Sequence, residues 1–451
     1  MGTPVRLCGR YDIKNDLGNL MTEQPIFAAI DLGSTKVCAV VGQVLEEDMF
    51  EIVGIGTAST HHGIRNGTIV DVQQTVAAIR KAVDIAGRKA SHPLTRVVVG
   101  FAGGEIEGQD QRVMIALKDR EVLESDIARI LQEARTMMGC SSSELLHTIP
   151  KGYRIDEQGG ILNPVGMVGA RLEAQVHVIR GSDMVLANLK RSVERAGLEV
   201  RDGDLVLQPL ASARAVLTED DKELGVCVVD IGGGTTGMVL FQNGALSGVR
   251  VVPLGGAAMT KDLAAVLRIS QADAERIKRE VFSTPGHAEP PLPEGEEIGT
   301  LSAEELTAAG RRVQVREVVE ARLEEILRKV KTDLDRLRQG SFLARGVVLT
   351  GGVARMPNIT SFAEKIFEMP VSVGHPGDRV QGLVDQTSGP EYASAVGLLY
   401  FARDQWVPSD VPVREAGPPS DSEPVASESP RKERDGPPAG VRLWNWLREI
   451  I

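Results

Sequence analysis

The chain has 451 residues, of which 42% are hydrophobic and 25% charged, and its formal net charge is −11. That length exceeds what one compact core holds, so two or more domains are expected, and the acidic balance disfavours a wholesale nucleic-acid binder. No stretch reaches the roughly 20 apolar residues of a membrane-spanning helix. The four cysteines (Cys8, Cys38, Cys140 and Cys227) are scattered without metal-ligand spacing, so reduced thiols in a cytosol fit best.

Residues 1–24 are polar, lack the apolar core of a secretory signal and read as a flexible leader, with Met21 as a possible true start. Residues 26–44 and 50–58 are apolar and β-rich around a turn at EEDM, which predicts a hairpin. Helical spacing follows over 72–86, then a buried strand over 96–103. Residues 105–178 mix short strands with a helix over 125–138 that Ser125 can cap. The next helix, 183–196, stops at Gly197. After a strand and a helix around PLASARAVL come two more β-rich segments, GVCVVDIGGGTTGMVLF and ALSGVRVVPLGG. Cys38 and Cys227 lie in such runs and act there as small hydrophobes. Beyond Thr260 the pattern is mostly helical, with a Pro/acid-rich loop over 285–297 and a long charged amphipathic helix over 313–337. A strand and glycine turn in GVVLTGGVARMPNI precede a last helix over 392–402. Residues 407–440 are rich in Pro, Ser, Glu and Asp, cannot bury enough surface to offset ordering, and predict a disordered linker.

Three glycine turns each follow a buried strand. They contain Gly33, Ser34, Thr35 and Lys36; Gly232, Gly233, Gly234, Thr235 and Thr236; and Gly351, Gly352 and Val353. Glycine lets backbone amides approach a polyphosphate, hydroxyls add donors, and Lys36 neutralises phosphate charge. Asp31 and Asp230 at strand ends can hold a hydrated Mg²⁺. Any one loop could be a mere tight turn; three loops with two strand-end aspartates and a lysine favour a phosphate site. Strand, Asp-Gly turn and strand occur twice, as DLGST and DIGGGTT, a weak internal duplication. His61 and His62 read as an exposed loop pair, and His147 as structural.

This arrangement resembles the actin/heat-shock-chaperone/sugar-kinase ATPase fold, an α/β architecture in which two similar halves clamp ATP. Within it the chain is similar to the FtsA family of bacterial cell-division proteins, through DLGSTKVCAVVG, HTIPKGYRID, NPVGMVGARLEAQVHVI, LTEDDKELGVCVVDIGGGTT and GVVLTGG. The resemblance implies a first half at 25–104 continued at about 180–215 and 375–403, and a small α+β inserted domain at 105–179. It implies a second half at 216–260 and 338–374, and a helix-rich subdomain at 261–337 that binds the C-terminal peptide of the tubulin-like FtsZ. The ADAERIK segment matches one whose Glu275 and Lys278 approach the nucleotide, and Arg312 and Arg322 match arginines of the peptide site. Two positions depart from the family: Gly237 stands where Asp is usual, and Asn358 where Gly is usual. The resemblance also implies ATP with Mg²⁺, weak or no ATPase activity, filament formation, and later division partners on the inserted domain.

Two of the three tryptophans lie in GVRLWNWLREII at the end of the chain. On a helix Leu443, Trp444, Trp446, Leu447, Ile450 and Ile451 share an arc of about 160°. From Arg431 onward five Arg/Lys face three Asp/Glu, a local excess of +2 that suits anionic lipid. Such a helix could dock on its own body, fill a partner groove or lie in a membrane interface. Interfacial tryptophans and the long tether favour the membrane, and the resemblance adds weight through FtsA's C-terminal amphipathic helix. The expectation is thus a cytosolic protein, peripheral on the inner face of the membrane at the division site, with 404–439 as linker and 440–451 as anchor. A pilus-assembly relative, a soluble sugar kinase of the same fold and a chaperone ATPase remain as alternatives.

Overall fold

The computed structural model describes residues 25–405 apart from 47–48, 61–62, 105, 119, 140–144, 202 and 284–302. Strands β1 (Ile26–Leu32), β2 (Lys36–Glu46) and β3 (Met49–Ser59) form an antiparallel meander. A small hairpin, β4 (Ile64–Arg65) and β5 (Thr68–Ile69), leads to helix α1 (Val72–Ala90) and strand β6 (Val98–Phe101). Next come β7 (Glu107–Ala116), α2 (Glu124–Met137), β8 (Leu145–Ile155), β9 (Gln158–Ile161) and β10 (Arg171–Arg180), which build a separate four-stranded sheet, β7-β10-β8-β9. Helix α3 (Asp183–Arg195) returns the chain to β11 (Leu205–Leu207), α4 (Gln208–Val216) and α5 (Glu219–Glu223). The second half holds β12 (Val226–Ile231), β13 (Thr236–Gln242), β14 (Ala245–Val252), α6 (Gly256–Leu267), α7 (Gln271–Ser283), α8 (Ala303–Arg338), β15 (Gly346–Thr350), α9 (Ile359–Phe367) and β16 (Val371–Val373). Strand β17 (Val380–Gly382), α10 (Val384–Thr387) and α11 (Ala393–Asp404) rejoin the first half.

The duplication hinted at by DLGST and DIGGGTT is present in the topology. The first sheet runs β3-β2-β1-β6-β11, with β17 added beside β3, and the second runs β14-β13-β12-β15-β16. In each, an antiparallel meander is extended by two parallel strands. Strand β12 shows why its sequence is a continuous apolar run. Val226 and Val228 belong to the core of the first half, Cys227, Val229 and Ile231 to that of the second. A strand covered on both faces has no solvent side to make polar.

Helix α1 begins where Asp71 accepts the amide of Gln74 at 3.1 Å. It buries Val76, Ile79, Ala82 and Ala86 against β3. The approach is close because β3 has glycine there: a Cβ on Gly56 would lie 2.0 Å from the Ala82 carbonyl oxygen.

Two expectations are corrected. Ser125 does not cap α2; the helix starts a residue earlier, and Asp126 caps it by accepting the Leu123 amide at 3.1 Å. Helix α8 begins at Ala303, not at Val313. Among its described side chains the buried apolar stripe runs through Val315, Val319, Leu323, Ile326, Val330 and Leu334. Cys38 and Cys227 are buried thiols, each pushed up to about 12 by burial. His147 is 2% exposed and its Nε2 accepts the Leu207 amide at 3.2 Å, joining the inserted sheet to β11. Burial lowers its pKa to about 4, so it stays a neutral acceptor. His61 and His62 lie outside the described residues.

Candidate functional site

The two halves meet at their glycine loops. The first connects β1 to β2 through Gly33, Ser34 and Thr35; the second connects β12 to β13 through Gly232, Gly233, Gly234 and Thr235. Both close in the same way, with Gly33 N–H donating to the Lys36 carbonyl at 3.1 Å and Gly232 N–H to the Thr235 carbonyl at 2.9 Å. They abut: a Cβ on Gly233 would fall 2.4 Å from Thr35 Cγ2, and one on Gly234 2.3 Å from Ser34 Oγ. Ser34 Oγ also accepts the Gly67 amide at 2.9 Å.

The third loop lies against the second-half aspartate. Gly351 has φ of 84°, and a Cβ there would sit 2.3 Å from Asp230 Oδ1. Gly352 and Val353 start the 3-10 turn Gly352–Arg355. Helix α6 starts beside the second loop, where Gly256 and Ala257 donate to the Gly232 and Gly233 carbonyls at 2.9 and 2.7 Å. A Cβ on Gly256 would be 3.1 Å from Val353 Cγ2, which places the third loop at the same helix end. From α7, Lys278 Nζ donates to the Gly256 carbonyl at 3.1 Å and to Thr260 Oγ1 at 2.9 Å, and pairs with Glu275 at 2.7 Å. Thr236 stands apart: its hydroxyl is buried and donates to the Leu254 carbonyl at 2.8 Å, so it faces the protein.

Asp31 and Asp230 end equivalent strands, and one helix touches both. From α4, Gln208 Nε2 donates to Asp31 Oδ1 at 2.5 Å, and Ser212, one turn on, donates to Asp230 Oδ2 at 2.5 Å. Ser394 from α11 donates to Asp31 Oδ1 at 3.1 Å. Burial raises the pKa of Asp31, against the lowering effects of Lys36, Gln208 and Ser394. Burial likewise pushes Asp230 up to about 6, and the negative charge of Asp31 adds to the rise while Ser212 opposes it. Two desolvated carboxylates, each with its pKa raised by burial, are a ready site for a cation. Sequence reasoning missed Gln208, Ser212 and Ser394, because nothing near them in the chain marks them as partners of aspartates 177, 18 and 363 residues away.

The family departures have physical readings. Asn358 has φ of 59° and ψ of 14°, the left-handed region that favours glycine and that asparagine tolerates best among other residues. Gly237 packs on Pro209 of α4; a Cβ there would lie 2.7 Å from Pro209 Cγ.

In the helix-rich region, Arg322 Nε and Nη2 donate to Asp262 of α6 at 2.6 and 3.0 Å, and Nη1 pairs with Glu325. These partners hold its pKa above the ordinary arginine value, the Asp262 hydrogen bond first among them. Arg312 lies on α8. Leu443, Trp444, Trp446, Leu447, Ile450 and Ile451 lie outside the described residues. Among the described residues no helix is long and apolar enough to cross a membrane.

Residues 227–397 match the model for cell division protein FtsA, and residues 103–180 match that for the SHS2 domain inserted in FtsA. The cell division protein FtsA of Pseudomonas aeruginosa is 39% identical over 381 residues, covering 83% of this chain and 89% of that protein. The chain belongs to the FtsA family. The FtsA of Bacillus subtilis strain 168 is 37% identical, covering 85% of this chain and 84% of its own length. That of Escherichia coli K12 is 33% identical, covering 85% and 91%. Among solved structures, a PilM-PilN type IV pilus biogenesis complex superposes with a TM-score of 0.60 at 17% identity, covering 84% of this chain and 99% of that one. That likeness shows the actin-like fold alone. The four-stranded sheet between β6 and β11 falls inside the residues matched to the SHS2 domain of the FtsA family.

Proposed function

We propose that this FtsA-family protein binds ATP with Mg²⁺ between its halves, polymerises on the inner face of the membrane, and tethers the FtsZ ring there. The observation that carries the reading is the convergence of three glycine loops on the paired carboxylates Asp31 and Asp230. The residues fit the ligand: positions where a side chain would collide are glycine, and the two desolvated aspartates lack a cation of their own at hydrogen-bond distance among the described residues. Ser34, Thr35, Gly233, Gly234 and Thr235 would hold phosphate groups, with Lys36 as the balancing charge. Gly351, Gly352 and Val353, with Glu275 and Lys278, line the opposite wall at the start of α6. The cation, when bound, supplies charge neutralisation between the aspartates and the phosphates.

Residues 440–451 are the membrane anchor in this reading. One short helix of that kind binds lipid reversibly and weakly, since part of its gain is lost to ordering. Many on one filament bind far more firmly, because each attachment raises the effective concentration of the next. The tail's local excess of +2 on a −11 protein selects anionic lipid. The FtsZ C-terminal peptide docks in the helix-rich region near Arg312 and Arg322, and later division proteins use the inserted domain. Because Arg322 is paired with Asp262 and Glu325, an acidic peptide has to share or displace those partners.

Co-sedimentation with anionic liposomes, with nucleotide and Mg²⁺, tests the tether. The full chain should pellet and a chain ending at residue 439 should not. Equal pelleting of both removes the anchor from the account.

A further inference from the structure

We propose that Tyr392 is the positioning residue for Lys36: its ring holds the lysine ammonium beside the first glycine loop without neutralising it, and so sets the cleft's affinity for phosphate. This rests on the nucleotide reading above and adds a residue to it.

Lys36 Nζ lies 4.0 Å from the centroid of the Tyr392 ring. Among the described residues Lys36 forms no ion pair with a carboxylate, although Asp31 is near enough to feel its charge. The choice of partner matters. A carboxylate would hold the ammonium equally well but would cancel its charge and compete with an incoming phosphate. A ring attracts the cation through its quadrupole and leaves the net charge in place. It also restricts a flexible four-carbon stem before any ligand arrives, which lowers the ordering cost of binding.

The ring is itself fixed by the cleft. Tyr392 N–H donates to the Gly389 carbonyl at 3.0 Å. Two residues back, the Pro390 carbonyl accepts Gly351 N–H and Thr350 Oγ1, each at 3.1 Å, which ties the segment to the third loop. Glu391 pairs with Arg355 of the same loop at 2.6 Å. Two residues on, Ser394 donates to Asp31 at 3.1 Å. The segment from Pro390 to Ser394 thus spans both halves and presents the ring between them. Burial raises the phenol's pKa, so the ring stays uncharged and keeps its cation-binding face.

The test is calorimetric titration of the full chain with MgATP, for wild type, Tyr392→Phe, Tyr392→Leu and Tyr392→Glu, each with Lys36 and with Lys36→Met. Tyr392→Phe should bind within about twofold of wild type, because the ring suffices. Tyr392→Leu should weaken binding about fivefold, and Tyr392→Glu about twentyfold or more, because Glu cancels the charge. With Lys36→Met the Phe, Leu and wild-type forms should bind alike, since there is no ammonium to position. A flat series, or a Leu effect undiminished by Lys36→Met, overturns the proposal while leaving nucleotide binding intact. No binding by wild type sinks the nucleotide reading, and the proposal with it. Lysine NMR of the ligand-free protein gives a readout independent of affinity. The Lys36 side-chain signal should be shifted upfield by ring current in wild type and Tyr392→Phe and not in Tyr392→Leu; an unshifted wild-type signal contradicts the contact.

Discussion

Gly351 and Gly352 are neighbours in the third loop, and the structure assigns them opposite tolerances for a methyl group. Gly351 has φ of 84° and ψ of 176°, a region essentially closed to other residues. A Cβ there would also sit 2.3 Å from Asp230 Oδ1 and 2.7 Å from the Ile231 carbonyl oxygen, and the backbone oxygen has no room to yield. At Gly352 nothing lies within 4 Å of such a Cβ. Backbone strain of about 1–3 kcal/mol plus the collision gives Gly351→Ala a cost of about 3 kcal/mol, against about 0.5 kcal/mol or less for Gly352→Ala. On a protein of 451 residues, whose unfolding entropy is about 2.1 cal/mol/K per residue, about 3 kcal/mol lowers the unfolding midpoint by about 3–4 °C. Scanning calorimetry of both variants checks this, and MgATP titration should show Gly351→Ala weakened through the displaced Asp230. Equal midpoints for the two variants, or a Gly351→Ala midpoint matching wild type, would refute the reasoning.

Three further outcomes are expected. His147 is neutral in the fold with a pKa of about 4 against an ordinary 6.5, so its contribution is complete above pH 6.5 and is lost as pH falls toward 4, by about 3 kcal/mol. Asp230, raised to about 6, works in the opposite direction over much the same window, so the readout is differential: urea unfolding of His147→Gln should lose less stability between pH 6.5 and 4 than wild type, and an identical loss contradicts the assignment. Asn358→Gly should raise the unfolding midpoint slightly and Asn358→Val should lower stability by about 1–2 kcal/mol, because the site needs left-handed backbone; a neutral valine argues against it. Asp262→Asn removes one of the two carboxylates paired with Arg322 and leaves Glu325, so the FtsZ peptide should tighten about twofold in fluorescence anisotropy, whereas unchanged affinity argues against Arg322 in the peptide site.

The glycine loops were legible in the sequence because their signal is local: DLGST and DIGGGTT place aspartate, glycine and hydroxyl side by side. The two-halved fold followed from the same repeat and from the resemblance it carried. What sequence could not supply was the far side of the cleft. Gln208 and Ser212 lie in a helix read only as PLASARAVL, and Ser394 and Tyr392 come almost four hundred residues into the chain; their meeting with Asp31, Asp230 and Lys36 is a product of how α4 and α11 pack. Local errors have local causes. Ser125 and Asp126 are both competent caps, and only the register of α2 chooses between them. Asn358 read as a departure from the family, yet its left-handed backbone makes asparagine the natural stand-in for glycine.

Asp31 and Asp230 are proposed as the paired carboxylates of a nucleotide cleft, and calorimetry with ATP tests that most directly. Wild type should bind ATP more tightly with Mg²⁺ than with a chelator, and the Mg²⁺-dependent gain should fade as pH drops below about 6, where Asp230 takes up its proton. Asp230→Asn should abolish that gain at every pH. Binding that is indifferent to Mg²⁺ in wild type, or a gain that survives in Asp230→Asn, would contradict the account.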